Sequence, residues 1–302
     1  MPIGTGNWPK LLWPGVNKIF GLTYDKHPKE YPMIFETYNS TRAFEEDVLG
    51  IGFGYAEVID EGSSISYDTA KQSFIQRYTH VEYGKGFIVT KNMYEDDQYD
   101  LPSIKGAKNL AFSLTSTKET VAANVLNRAF SDSYTFGDGK ELCATDHPTG
   151  FGGTWANELT TAADLSEASL EQACKDINKM QDARTLPIAI SPIRLIIHAD
   201  DEFEAGRILK SELQNDTANN AINVIRATGK FPGGYHINHY LIDSDAWFII
   251  TNCPDGMKHF ERKKMSFDMD NDFDTSNAKF KAQERYSFGC SNQRGIFGSP
   301  GV

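Results

Sequence analysis

The chain has 302 residues, with 41 Asp and Glu against 30 Lys and Arg and a formal net charge of −11. That balance excludes a surface built to grip nucleic acid or anionic lipid, because both need clustered Lys and Arg. An apolar fraction of 40% with 24% charged residues belongs to a folded protein, rich in aromatics at 19 Phe and 13 Tyr, and the length allows about two domains or one extended subunit.

Residues 1–50 show no helical or strand period, since Pro2, Pro9, Pro14, Pro28 and Pro32 interrupt the backbone. Large rings nevertheless punctuate the stretch, and a disordered linker would not carry so many. An extended arm is predicted, whose rings, each burying ~150–250 Å², dock on another surface; a subdomain packed on its own chain is the alternative. Trp8, Trp13, Phe20 and Phe35 are the candidate anchors. Prolines and glycines stand where a secretory signal needs an unbroken apolar core, and no later run reaches the ~20 residues of a membrane span, so a cytoplasmic protein is expected.

Gly50, Gly52 and Gly54 miss the G-x-G-x-x-G dinucleotide spacing and read as a hinge. Beyond it, Ala56–Ile59 and Ser73–Val89 alternate polar with β-branched or aromatic residues across a turn-rich segment, which predicts a long antiparallel hairpin. Such a two-stranded ribbon is marginal alone and must lean on a partner surface, another subunit being one option.

The strongest period spans residues 103–130. Ile104, Ala107, Ala111, Leu114, Val121 and Val125 fall on one side, predicting a helix roughly 40 Å long, with Lys108, Lys118, Glu119, Asn124 and Arg128 left for water. Asp100 and Pro102 supply its start. After a loop-like stretch, Ser166–Asp182 reads as a second helix with Leu170, Ala173, Cys174, Ile177 and Met180 inward. Ile193–His198 is a buried strand, and Asp200, Asp201 and Glu202 open a third helix with Phe203, Leu209 and Leu213 inward. Ala221–Ala227, His239–Asp243 and Ala246–Thr251 read as further strands. Met257–Phe267 and Ala278–Phe288 then flank the acidic DMDNDFDTSN as a hairpin with an exposed tip.

No constellation adds up to a catalytic site. Cys143, Cys174, Cys253 and Cys290 lack C-x-x-C spacing and read as reduced, buried thiols. Asp268, Asp270, Asp272 and Asp274 begin like a calcium loop, but Phe273 and Lys279 stand where that loop needs Gly and Glu, leaving an exposed charged turn. His236 and His239 sit in a loop entering a strand, and His198 at a strand end has no nucleophile elbow or phosphate loop beside it. A hydrogen-bonded structural histidine is the preferred reading, and no cofactor or metal is expected.

Five segments together resemble the major capsid proteins of tailed bacteriophages with the Hong Kong 97 type fold. They are YPMIFETYNSTRAFEED at 31–47, the run from Glu61 to Asp100, IRLIIHADDEFEAGRIL at 193–209, DAWFIIT at 245–251 and RYSFGCSNQRGIFGSPG at 285–301. The resemblance implies an α+β subunit: an N-terminal arm (1–52), an extended β-hairpin loop (53–94), a peripheral domain (95–186) with its spine helix at 103–130, an axial α/β domain (187–256), and a peripheral hairpin with the C-terminal segment (257–302). It implies a structural protein, not an enzyme, that self-assembles through hexamers and pentamers into an icosahedral shell around phage DNA held without sequence-specific contacts. Its place is the virion, after assembly in the host cytoplasm and away from membranes. Expected partners are a scaffolding protein in trans and a portal protein, with a decoration protein optional; an arm starting almost at Met1 suggests scaffolding in trans or removal of a segment.

Cross-linking by an isopeptide bond, found in some relatives, is not carried over, because no local motif singles out Lys71, Lys85 or Lys91. The alternatives are an encapsulin-like nanocompartment shell of the same fold and, from another class, an α/β enzyme using His198 or His236. The resemblance also sets the acidic tip near a local threefold axis, where Arg262, Lys263 and Lys264 are expected to offset Asp268, Asp270, Asp272 and Asp274 across subunits.

Overall fold

A computed structural model describes residues 9–95, 100–214, 221–272 and 277–302. Helix α1 (Pro9–Lys26) is followed by strands β1 (Glu36–Asn39), β2 (Phe44–Ile51), β3 (Lys71–Thr79) and β4 (Val81–Val89). The short α2 (Lys91–Glu95) precedes the long α3 (Asp100–Asn127), then β5 (His147–Pro148), β6 (Thr154–Trp155) and α4 (Glu167–Asn178). The remainder is β7 (Pro192–Ile197), α5 (Glu202–Lys210), α6 (Val224–Ala227), β8 (Tyr235–Ile237), β9 (Trp247–Thr251), β10 (Met257–Asn271), β11 (Ala278–Cys290) and β12 (Ile296–Ser299).

Two four-stranded sheets organise these elements. The first, in the order β1-β10-β11-β4, packs one face on α3: Phe267, Phe280 and Ala282 share a core with Leu110 and Leu114. The second, β12-β9-β7-β8, is covered on both faces, as strand alternation requires. Leu195, Ile197, Trp247 and Ile249 point to α4 and α5, whereas Ile196 and Phe248 point to the C-terminal end of α3 at Leu126. Helix α4 has the expected inner face, and Ser166 caps it by accepting the Ser169 N–H.

Five expectations need correction. The arm is not extended: Pro9 opens α1, where a missing N–H costs nothing, and Phe20 and Tyr24, one turn apart, enter the α3 core. The hairpin pairs β2 with β3 from Phe44↔Thr79 to Ile51↔Lys71, so Ala56–Ile59 is no strand but part of the connecting loop 52–70. Lys118 and Glu119 on α3 are buried instead of facing water, because side chains distant in sequence partner them. Two expected strands are absent: α6 occupies part of Ala221–Ala227, and His239–Asp243 is a turn followed by irregular chain. Helix α5, beginning after a tight turn at Ala199–Asp201, buries Ala205 and Ile208, leaving Phe203 77% exposed and Leu213 44% exposed.

Candidate assembly interface

Among the described residues, the loop 52–70 exposes a run of large apolar side chains. Val58 is 96% exposed and Tyr67 95%, with Phe53, Tyr55, Ile59 and Ile65 all more than half exposed. Single exposed apolar residues are ordinary, whereas six on one 19-residue loop are the kind of clustering that marks interaction sites. The loop also carries Glu57, Asp60, Glu61 and Asp68 and no Lys or Arg, so it fits an apolar seat of neutral or basic character.

Its base is fixed to the body. Arg184 Nη1 donates to Asp68 Oδ2 at 2.6 Å, and Nη2 donates to the Thr69 carbonyl at 2.7 Å. The same carboxylate accepts the Gly54 N–H at 2.9 Å, joining both ends of the loop. Donation from the Gly54 and Thr69 N–H groups, then from Arg184, holds the Asp68 carboxyl below its usual range. The Arg184 guanidinium lies 4.5 Å from the Phe151 ring centroid, a cation–π contact that fixes its plane.

A buried polar junction ties α1 and α3 to the first sheet. Lys118 Nζ lies 3.5 Å from Glu284 Oε2 and 3.6 Å from Glu261 Oε1, and Tyr24 donates its hydroxyl to Glu284 Oε2 at 3.1 Å. One residue on, Glu119 accepts the Glu30 and Tyr31 N–H groups at 3.1 and 2.9 Å. The Glu30 carboxylate in turn meets His239 Nδ1 at 2.6 Å, linking the N-terminal segment to the second sheet's region. Burial pushes the Glu119 carboxyl up to about 7 and drives His259, enclosed beside Tyr31 and Phe288, down to about 3.

The expected anchors divide. Trp8 and Asp274 lie outside the described residues, as does the side chain of Trp13. Phe20 and Phe35 are 0% and 2% exposed, so they anchor this chain to itself: Phe20 stacks on Phe267 at 4.4 Å and Phe35 meets Phe288 edge-on at 5.0 Å. At the β10–β11 tip, Asp268 stands opposite Lys281 and Asp270 opposite Lys279, while Asp272 is paired with Lys279 at 2.8 Å. Part of the charge is therefore offset within the chain. Lys263 lies 3.8 Å from Glu82, Arg262 donates to the Arg42 carbonyl at 2.9 Å, and Lys264 is exposed.

His198 accepts the Asp200 N–H at 3.2 Å as the cap of the turn leading to α5, a structural role. His236 lies on β8 and His239 pairs with Glu30, and among the described residues no group of three or more His, Cys, Asp and Glu is placed to hold a metal ion. Sequence reasoning missed the Arg184–Asp68 clasp and the Glu30–Glu119–His239 link. Each joins residues too distant in sequence for any local signal to mark.

Comparison with known proteins gives three kinds of result. The model of the phage capsid protein family matches residues 75–298. No curated protein matches the chain. Among solved structures, the chain is similar to the virus-like particle of Pyrococcus furiosus (11% identity, 94% of this chain and 97% of that one, TM-score 0.54). It is also similar to Mycobacterium phage Che8 (14% identity, 90% of each chain, TM-score 0.54) and to the capsid of cyanophage P-SCSP1u (8% identity, 90% and 87%, TM-score 0.58). At these identities the likeness is one of fold.

Proposed function

The chain belongs to the phage capsid protein family and is a structural subunit of a tailed-phage head with the Hong Kong 97 type α+β fold, and on that premise we propose that its subunits close rings of five and six chiefly by docking the loop 52–70 on a neighbouring copy. The observation that carries this reading is the exposed apolar run of Phe53, Tyr55, Val58, Ile59, Ile65 and Tyr67 on a loop clasped only at its base. Moderate area buried on several neighbours closes a shell without any single strong interface.

The finer features follow as parts of the same reading. Residues 95–186 with 257–302 form the peripheral unit and 187–256 the axial one. The tip residues Arg262, Lys263, Lys264, Asp268, Asp270 and Asp272 lie at contacts between peripheral units. A scaffolding protein in trans and a portal complete the head, with a decoration protein optional; assembly takes place in the host cytoplasm, the genome is held without sequence-specific contacts, and no catalysis is assigned.

The test replaces Val58 and Tyr67 with Asp in the full chain. Both side chains are almost fully exposed, so the subunit should stay soluble and keep its melting temperature while shells vanish from sedimentation profiles and electron micrographs. Shells formed at the parent's yield would refute the loop's role.

A further inference from the structure

A closed ring of identical subunits uses a heterologous contact, so two different patches of one chain must be complementary. The axial region carries such a pair at its two ends. Strand β7 runs from Pro192 to Ile197, and α5 returns from Glu202 to Lys210, so the start and end of α5 lie at opposite ends of the sheet, about 12 Å apart by helical rise.

The end where α5 starts is acidic. Asp200 and Glu202 are exposed there, and Asp201 is close enough to Asp245, Asp164 and Asp200 for their charges, after its own burial, to raise its carboxyl. The turn before β9 adds Asp243, so these segments bring six acids and no Lys or Arg, with His198 the nearest titratable base. Phe203, exposed on the first turn of α5, adds an apolar contact.

The opposite end is a basic groove of about 460 Å³ between the end of α5, α6 and the start of β8, floored by Leu209, Ile225 and Phe231. Lys210 and Arg226 line it, and Lys230 follows in the next turn. Lys210 is oriented by its 3.3 Å hydrogen bond to the Tyr235 hydroxyl, and Arg226 by Glu212 at 3.2 Å. Ile222 and Val224, 66% and 52% exposed, stand beside the cations.

We propose that neighbouring subunits in a ring join axial region to axial region head to tail, the acidic Asp200–Asp245 end of one copy seating on the Lys210–Arg226 groove of the next. The contact rests on the ring-forming reading above and gives the ring its direction and register. On a chain of net charge −11 such a complementary pair of patches offsets part of the repulsion between copies and favours one orientation of the neighbour.

Three variants test this in the full chain: Lys210→Glu with Arg226→Glu, Asp200→Lys with Asp245→Lys, and all four together. Each half-reversal juxtaposes like charges and should lower the yield of shells about tenfold or more, while the fourfold variant restores it. Half-reversed subunits that assemble at the parent's yield overturn the proposal, as does a folded fourfold variant that stays unassembled. If a reversal unfolds the subunit, as a thermal melt would show, Lys210→Gln with Arg226→Gln decides instead, and assembly at the parent's rate then overturns the contact. Failure of the parent itself to form rings or shells counts against the ring-forming reading, not against this contact.

Discussion

Glu119 is 2% exposed and receives two N–H groups from the segment that follows α1, and the nearby Lys118 is paired instead with Glu284 and Glu261. Burial raises its carboxyl to about 7, with the Glu30 charge adding to the rise and the Tyr31 and Glu30 N–H groups and Lys118 opposing it. Because the folded state holds the proton more tightly than the unfolded chain, stability increases as pH falls from above 7 through the ordinary carboxylate range. His259 acts in the opposite direction, since its lowered pKa makes the fold less stable as pH falls below 6.5. Glu119→Gln isolates the first effect: it should stabilise the subunit at pH 8 by up to ~3 kcal/mol and make little difference at pH 4, read by denaturant unfolding at each pH. A constant offset at every pH would mean that Glu119 does not titrate in this window. The sequence placed Lys118 and Glu119 on the water side of a helix, where their charge belongs by default. Their partners Glu284 and Glu30 lie far along the chain, so burial here follows from tertiary contacts that helical period alone does not encode.

Among the elements, those with a clean period were legible and those whose period was broken were not. Helix α3 came close to its expected bounds because its stripe runs for many turns, and the β10–β11 hairpin was recognisable from two alternating flanks. Helix α1 was hidden by Pro9 and Pro14, although only Pro14 lies beyond the first turn, and by Gly15 and Gly21, which lower helix propensity. Strand β2 was masked by the acidic run Glu45, Glu46 and Asp47, whose partners across the ladder include Arg77 opposite Glu46. The helical assignment changes what truncation should do. Phe20 and Tyr24 fill the core shared by α3 and the first sheet, so deleting residues 1–30 uncovers Leu110, Leu114 and Phe267. The expected product is a subunit of markedly lower melting temperature that aggregates on purification, not a well-folded one that merely fails to assemble. A truncated chain that melts with the parent would show that α1 does not stabilise this core.

At the scale of the whole molecule, the order of elements was legible because the strongest periodic segments fall in sequence, whereas the partition of strands between the two sheets was not, since strand pairing over such separations leaves no local mark. Charge was legible in total and not in placement. The total of −11 already disfavours DNA, and the structure shows how several cations are occupied within the chain. Lys258 bridges Asp255 and Asp47 at 2.6 and 2.7 Å, Lys118 is buried among carboxylates, and Arg294 lies 4.1 Å from the Trp155 ring centroid while donating to the Gln181 carbonyl. Cations held in this way cannot displace counterions from a phosphate backbone, and binding of duplex DNA depends on that release. A shell of such subunits would hold its genome by enclosure, with counterions between the wall and the packaged DNA. Free subunits should therefore leave the anisotropy of a labelled duplex unchanged at ~0.05 M salt, where phosphate contacts would be strongest. Binding that weakens steeply as salt is added would instead reveal a run of unpaired Lys and Arg on the inner face, and the genome would then be held by contact with the wall.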